Sequence, residues 1–251
     1  MSTAVVDSLL RLGDNGLILS HRLSEAVGKQ PILEEELASA NVALDLLGQA
    51  RLWLALAGEI EGEGRDADAL AFFRDVRAFR NVLLVEQPNG DFAFDVARQF
   101  FFDAWHHLVL RGLSRVTDHR VRDIATKASK EVAYHVRRSG DWVVRLGDGT
   151  EESHRRMQAA VNDLWPFVDE LFTDDETDAA AHAAGMGVLH APLRASWDTL
   201  VHDTLAAATL TVPPASKWPQ RGGKQGRHGE QLGYVLADLQ YMQRAYPGQS
   251  W

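Results

Sequence analysis

The sequence contains no cysteine. That absence excludes disulfides, thiolate metal sites, iron–sulfur clusters and cysteine nucleophiles together. Positive charge is in deficit as well. Twenty-six Lys and Arg stand against 35 Asp and Glu, and the formal net charge of −9 argues against a general nucleic-acid or anionic-membrane binder. No apolar run approaches the ~20 residues that a membrane span needs. Met1–Leu12 shows no basic region leading into an apolar stretch, so no signal peptide is expected and the cytoplasm is the default compartment. Three catalytic or nucleotide signatures are also missing: a Gly-x-Ser-x-Gly elbow, a Gly-x-Gly-x-x-Gly after a strand, and a phosphate loop.

What is there points to helix. The chain has 251 residues, of which 45% are apolar and 24% charged, the balance of a globular protein able to bury a core without staples. Ala and Leu make up about a quarter of it, and both favour helix. A first helix is expected over Gly13–Gly28. A long second one ends near Ile60, with Leu33, Leu37, Ala40, Leu44, Leu47 and Leu54 as its apolar repeat. After the break at Glu61–Gly64, Asp66 to about Gln87 reads as one helix with Leu70, Phe73, Val76, Phe79 or Arg80, and Leu83 on a face. Gln87-Pro-Asn-Gly90 is a turn.

Asp91–Val116 and Asp118–Leu146 follow as two further helices. The faces are Val96, Phe100, Asp103, His107 and Leu110 in the first, and Val121, Ile124, Ala128, Val132, His135 and Trp142 in the second. Thr150 caps the next helix, in which Pro166 predicts a kink, and Thr173–Glu176 caps another. Helices are also expected around Leu193–Leu210 and Glu230–Arg244, whereas Val212–Gly229 reads as an irregular loop. The resulting expectation is an all-α helical bundle in one domain over 1–251, with its core at about 13–172 and additional C-terminal helices over about 173–251.

Helical bundles host metal between facing helices. A carboxylate-bridged di-iron centre takes a lone Glu from each of two helices and a Glu-x-x-His from each of the others. The only literal Glu-x-x-His here, Glu151-Glu-Ser-His154, follows a turn directly, where a cap and an acidic first turn are ordinary. Asp103-Ala-Trp-His106-His107 is more informative, because an unpaired carboxylate on an apolar face is costly. Asp103, His107 and His135 can therefore form an interior polar cluster, either as a hydrogen-bonded network or as ligands. Separately, Arg221, Lys224 and Arg227 lie in a glycine-rich basic stretch that suits an anion or a partner contact.

Several blocks carry a resemblance. Asn41-Val-Ala-Leu-Asp-Leu-Leu-Gly-Gln-Ala-Arg51, Leu83-Leu-Val-Glu-Gln-Pro-Asn-Gly90, Phe102-Asp-Ala-Trp-His106, Lys130-Glu-Val-Ala-Tyr-His135 and the tail Leu239–Gln243 with Pro247–Trp251 resemble the C-subunit family of phenylacetyl-CoA ring-1,2-epoxidases. The similarity runs from about Leu12 to Trp251. It implies a ferritin-like subunit of a multicomponent monooxygenase in aerobic phenylacetate catabolism. In that family the di-iron centre belongs to a related A subunit, a flavin/iron–sulfur reductase supplies electrons from NADPH, and the C subunit is structural.

In the family register, Glu25 is the counterpart of the first ligand. The two Glu-x-x-His motifs fall on Leu46-Leu-Gly-Gln49 and Val132-Ala-Tyr-His135, while Asp103 or Gln99 lies near the site. The resemblance thus implies a vestigial site around Glu25, Leu46, Gln49, Asp103, Val132 and His135, with no catalytic residue and no cofactor in this chain. The expected partner is the di-iron A subunit, and an isolated copy is open to self-association. Two other readings remain beside it: a metal-dependent oxidase using Asp103, His107, Glu131 and His135, or a CoA-thioester-binding adaptor using Arg221, Lys224 and Arg227.

Overall fold

A computed structural model of the chain describes residues 3–249, so Ser250 and Trp251 of the tail block lie outside the described residues. Ten α-helices and four 3-10 turns make up its regular structure, and no strand occurs among the described residues. The all-α expectation holds. No helix among the described residues is long and apolar enough to cross a membrane. Two compact units divide the chain: one takes the residues up to Pro88 together with those from Gly222 onward, the other Asn89–Arg221.

The first unit is built on α1 (Thr3–Glu25) and α2 (Leu33–Glu61). Gly13 meets Leu54 while Gly16 meets Leu46, so the two helices run antiparallel. Sixteen of the 23 residues of α1 are buried, which makes it the central helix of the unit. It begins ten residues before the expected start at Gly13, because Val5, Val6, Leu9 and Leu10 already belong to the core.

In α2 the boundaries match expectation, but of the expected apolar repeat only Leu54 is buried. Val42, Ala43, Leu46, Ala50, Trp53, Leu54 and Ala57 are buried, whereas Leu33, Leu37, Leu44 and Leu47 are exposed. The helix is apolar on two sides, and a 3.6-residue repeat cannot tell which side its neighbour occupies.

The single helix expected over Asp66–Gln87 is also corrected. Asp66 caps α3 (Ala67–Phe72) by accepting from the Ala69 amide, after which the chain leaves the helix, forms a 3-10 turn at Val76–Ala78 and closes in α4 (Leu83–Glu86). Polar residues of α1 dictate this path. Buried Asp14 pairs with Arg74 and accepts from the Arg80 amide at 2.8 Å, and Asn15 accepts from the Val82 amide at 2.8 Å. A continuous helix would withhold those amides and strand two buried acceptors. Phe73 consequently points outward and Phe79 inward. The last helix, α10 (Glu230–Ala245), returns to this unit, with Gln240 donating to the Ala71 and Arg74 carbonyls.

The second unit is built on α5 (Phe92–Leu113) and α6 (His119–Gly147), capped by the side chains of Asp91 and Asp118. Phe92 meets Trp142 and Ser139 meets Asp103, so these helices are antiparallel as well. A Thr150–Ser153 capping box opens α7 (Glu151–Leu164), and at Pro166 the chain tightens into a 3-10 turn through Phe172. Asp175 caps α8 (Glu176–Ala183), and α9 (Arg194–Ala207) seats Trp197 among Phe101, Trp165 and Phe172.

Candidate functional site

In the second unit, α5 and α6 bury a polar cluster. Gln99 and Asp103 lie one turn apart on α5, and His135 and Ser139 one turn apart on α6; all four are buried. Gln99 donates to Asp103 Oδ1 at 2.6 Å, and Ser139 Oγ lies 2.9 Å from Asp103 Oδ2 and 2.8 Å from the His135 carbonyl. Burial pushes the Asp103 carboxyl up to about 6, against the opposing pull of His135, Ser139, Gln99 and Arg138. A hydroxyl has one hydrogen, so Ser139 cannot donate to both acceptors. A protonated Asp103 resolves this by donating to Ser139 Oγ, which then donates to the His135 carbonyl.

The expected companion His107 is half-buried, and its neighbour His106 is the interior residue. Every residue from Val96 to His106 is buried, so α5 is enclosed all round near its middle and the apolar stripe does not single out His107. Burial, followed by the charges of His135 and His107, pushes His106 down to about 3, and its Nδ1 has no partner. Burial and then Arg111 lower His107 as well. Val132 is fully buried beside this cluster in sequence, and Glu131 is only half-buried.

In the first unit, Glu25 is half-exposed at the end of α1 and pairs with Arg22 at 3.0 Å, while Leu46 and Gln49 are buried on α2. A different buried charge, missed by sequence reasoning, lies here. Glu86 accepts from His228 Nδ1 at 2.8 Å, Asn81 Nδ2 at 3.0 Å and the Gly229 amide at 2.6 Å, while Arg22 donates to its main-chain carbonyl at 2.8 Å. The other ring nitrogen of His228 faces the Phe79 carbonyl at 3.0 Å. With an oxygen at each nitrogen, the ring is held as an imidazolium donating twice. Burial alone lowers its pKa, but the Glu86 and Phe79 hydrogen bonds and the charges of Glu86 and Asp14 outweigh it, and the net shift is upward. The available signal was a lone acid closing the apolar run Val82–Val85.

This pair explains the glycine-rich stretch. A Cβ at Gly223 would sit 2.2 Å from the Asn81 carbonyl, and one at Gly226, whose φ is +74°, 2.2 Å from the Arg77 carbonyl. The glycines let the loop lie directly on 77–83. Lys224 is buried in that loop and Arg227 is exposed, whereas Arg221, in the second unit, faces Asp169 at 3.6 Å.

Neither unit by itself carries the pair of Glu-x-x-His motifs that a di-iron set takes. At the positions where the family resemblance puts bridging carboxylates, Leu46 and Val132 are fully buried hydrocarbon. The second unit keeps His135 and also Asp103, the latter already engaged with Gln99 and Ser139. Asp103 and His135 by themselves fall short of the six ligands that a carboxylate-bridged pair of irons takes. Glu151 is exposed, and His154 Nδ1 lies 2.7 Å from the Gly147 carbonyl, closing the end of α6. Among the described residues the one trio with ligand atoms within 4.8 Å of one another is Asp174, Asp178 and His190. Its carboxylates accept from the His190, Ala191 and Asp175 amides, the work of caps.

The family described as phenylacetic acid catabolic protein matches residues 1–251. A curated relative, the C subunit of the 1,2-phenylacetyl-CoA epoxidase of Escherichia coli (strain K12), is 51% identical over 242 residues, covering 96% of this chain and 97% of the relative. The all-α architecture is consistent with the ferritin-like type, and the chain belongs to the phenylacetic acid catabolic protein family.

Proposed function

We propose that this chain is the structural, metal-free subunit of a cytoplasmic phenylacetyl-CoA epoxidase, holding a di-iron A subunit that performs the chemistry of aerobic phenylacetate breakdown. The observation that carries the reading is the 51% identity, across nearly the whole of both chains, to a protein named as the C subunit of that enzyme. The replacement of bridging carboxylates by Leu46 and Val132 supports its non-catalytic part. A bundle freed of ligands can pack its interior as a rigid platform, and binding to such a platform orders a mobile partner. The experiment is reconstitution: the A subunit and reductase of the same source are assayed with phenylacetyl-CoA, with and without this chain, and iron is measured on each purified chain. Turnover that needs this chain, with iron only in the A subunit, is the expected result. Full turnover without it, or about two irons per copy of this chain, overturns the reading.

A further inference from the structure

Where the chain enters the second unit it carries an Asn-Gly step, Asn89-Gly90, just ahead of the Asp91 cap of α5. Before glycine, an asparagine side-chain amide is unusually open to attack by the next main-chain nitrogen, because no side chain shields that nitrogen. Here each reacting atom also has a charged partner. Arg98 donates to Asn89 Oδ1 at 2.6 Å, and the Gly90 amide donates to Asp95 Oδ1 at 3.0 Å. The same guanidinium nitrogen of Arg98 lies 3.6 Å from that Asp95 oxygen, so one ion pair links the electrophile to the nucleophile.

Helix α5 fixes both charges. Asp95 and Arg98 stand three residues apart near its start, on one side of the helix. Arg98 is fully buried, which holds its charge on the Asn89 oxygen. Asn89 is half-buried and Gly90 exposed, so water reaches the step. Packing also keeps glycine in place, since a Cβ at Gly90 would lie 2.8 Å from the Phe94 Cβ.

We propose that Asn89 is a self-modification site of the folded chain, with Asp95 as the base and Arg98 as the stabiliser of the developing oxyanion. The Gly90 nitrogen bonds to Asn89 Cγ as its proton passes to Asp95, and the negative charge gathering on Oδ1 meets Arg98. The bond from Cγ to the side-chain nitrogen then breaks. That nitrogen takes the proton back from Asp95 and leaves as ammonia, and a cyclic succinimide remains. Water opens the ring at either carbonyl and leaves aspartate or its β-linked isomer at position 89. The new carboxylate faces the buried Arg98 guanidinium, a stronger pairing than the neutral amide makes. This inference stands apart from the epoxidase reading.

The full chain is incubated at neutral pH in isotope-labelled water, folded in buffer and unfolded in urea, and peptide mapping by mass spectrometry follows label entering residue 89. Entry is expected to be faster in the folded chain than in the unfolded one. Asp95→Asn is expected to slow the folded reaction at least ~10-fold and leave the unfolded rate unchanged. The replacement amide still accepts from Gly90, so the turn is kept while the base is lost. Equal or slower entry in the folded wild type overturns the proposal, because the hydrogen bonds would then protect the step. A folded Asp95→Asn chain as fast as wild type overturns it too. If that variant does not fold, the wild-type comparison decides by itself.

Discussion

Replacing Asp103 by Asn tests the account of the α5–α6 cluster most directly. Asp103 is fully buried and its carboxyl is pushed up to about 6, against an ordinary value of 3.8. The group therefore stays protonated in the folded chain at pH values where the unfolded chain has already lost the proton. Its contribution to stability is whole below 3.8 and is lost as pH rises through about 6. A shift of roughly two units at about 1.4 kcal/mol each makes the ionised carboxylate cost about 3 kcal/mol at neutral pH. Asn is the neutral isostere. Its oxygen still accepts from Gln99, and its amide donates to Ser139 Oγ as the protonated acid does, leaving the serine hydrogen for the His135 carbonyl. Asp103→Asn is thus expected to match wild type at pH 4 and to exceed it by about 3 kcal/mol at pH 8. For a chain of this size that is roughly 6–12 °C in Tm. Urea and thermal melts of both proteins across pH 4–8 measure it. A variant less stable than wild type at pH 8 would refute the reasoning, since Asp103 would then be serving as a needed anion.

Three further outcomes are expected. His228→Leu leaves Glu86 buried without its cation, at a cost of about 3–5 kcal/mol. Because the folded His228 pKa is raised, that cost is full below pH ~6.5 and shrinks as pH climbs through the raised value; urea midpoints at pH 6 and pH 9 that differ from wild type by the same amount would contradict it. Arg74→Met strips buried Asp14 of its guanidinium and lowers stability by about 3–5 kcal/mol, read as a denaturant midpoint. Two glycines of α2 respond oppositely to alanine. Gly58→Ala drives a Cβ to 2.0 Å from the Arg65 carbonyl and destabilises by about 1–3 kcal/mol, while Gly48→Ala meets open space and stabilises by up to ~1 kcal/mol. Melts of the two variants that moved in the same direction would refute the packing described.

Local chemistry was legible in the chain itself. The cap at Thr150, the tightening at Pro166 and the all-α class follow from turn residues and a 3.6-residue repeat, because these act within a few residues of one another. The lack of carboxylates at Leu46 and Val132 is equally a matter of sequence, and the resemblance that gave them meaning is matched by the family. Other features depended on partners distant in the chain. Which side of α2 meets α1 is decided by packing, since both sides are apolar. The helix that should have run from Asp66 to Gln87 breaks because Asp14 and Asn15, more than 60 residues earlier, claim its amides. His106 rather than His107 lies inside because α5 is enclosed all round at that level. Glu86 and His228 meet across 142 residues, a pairing to which no local period responds. A repeat reports which residues share a helical side, and only the packed tertiary structure settles what that side faces.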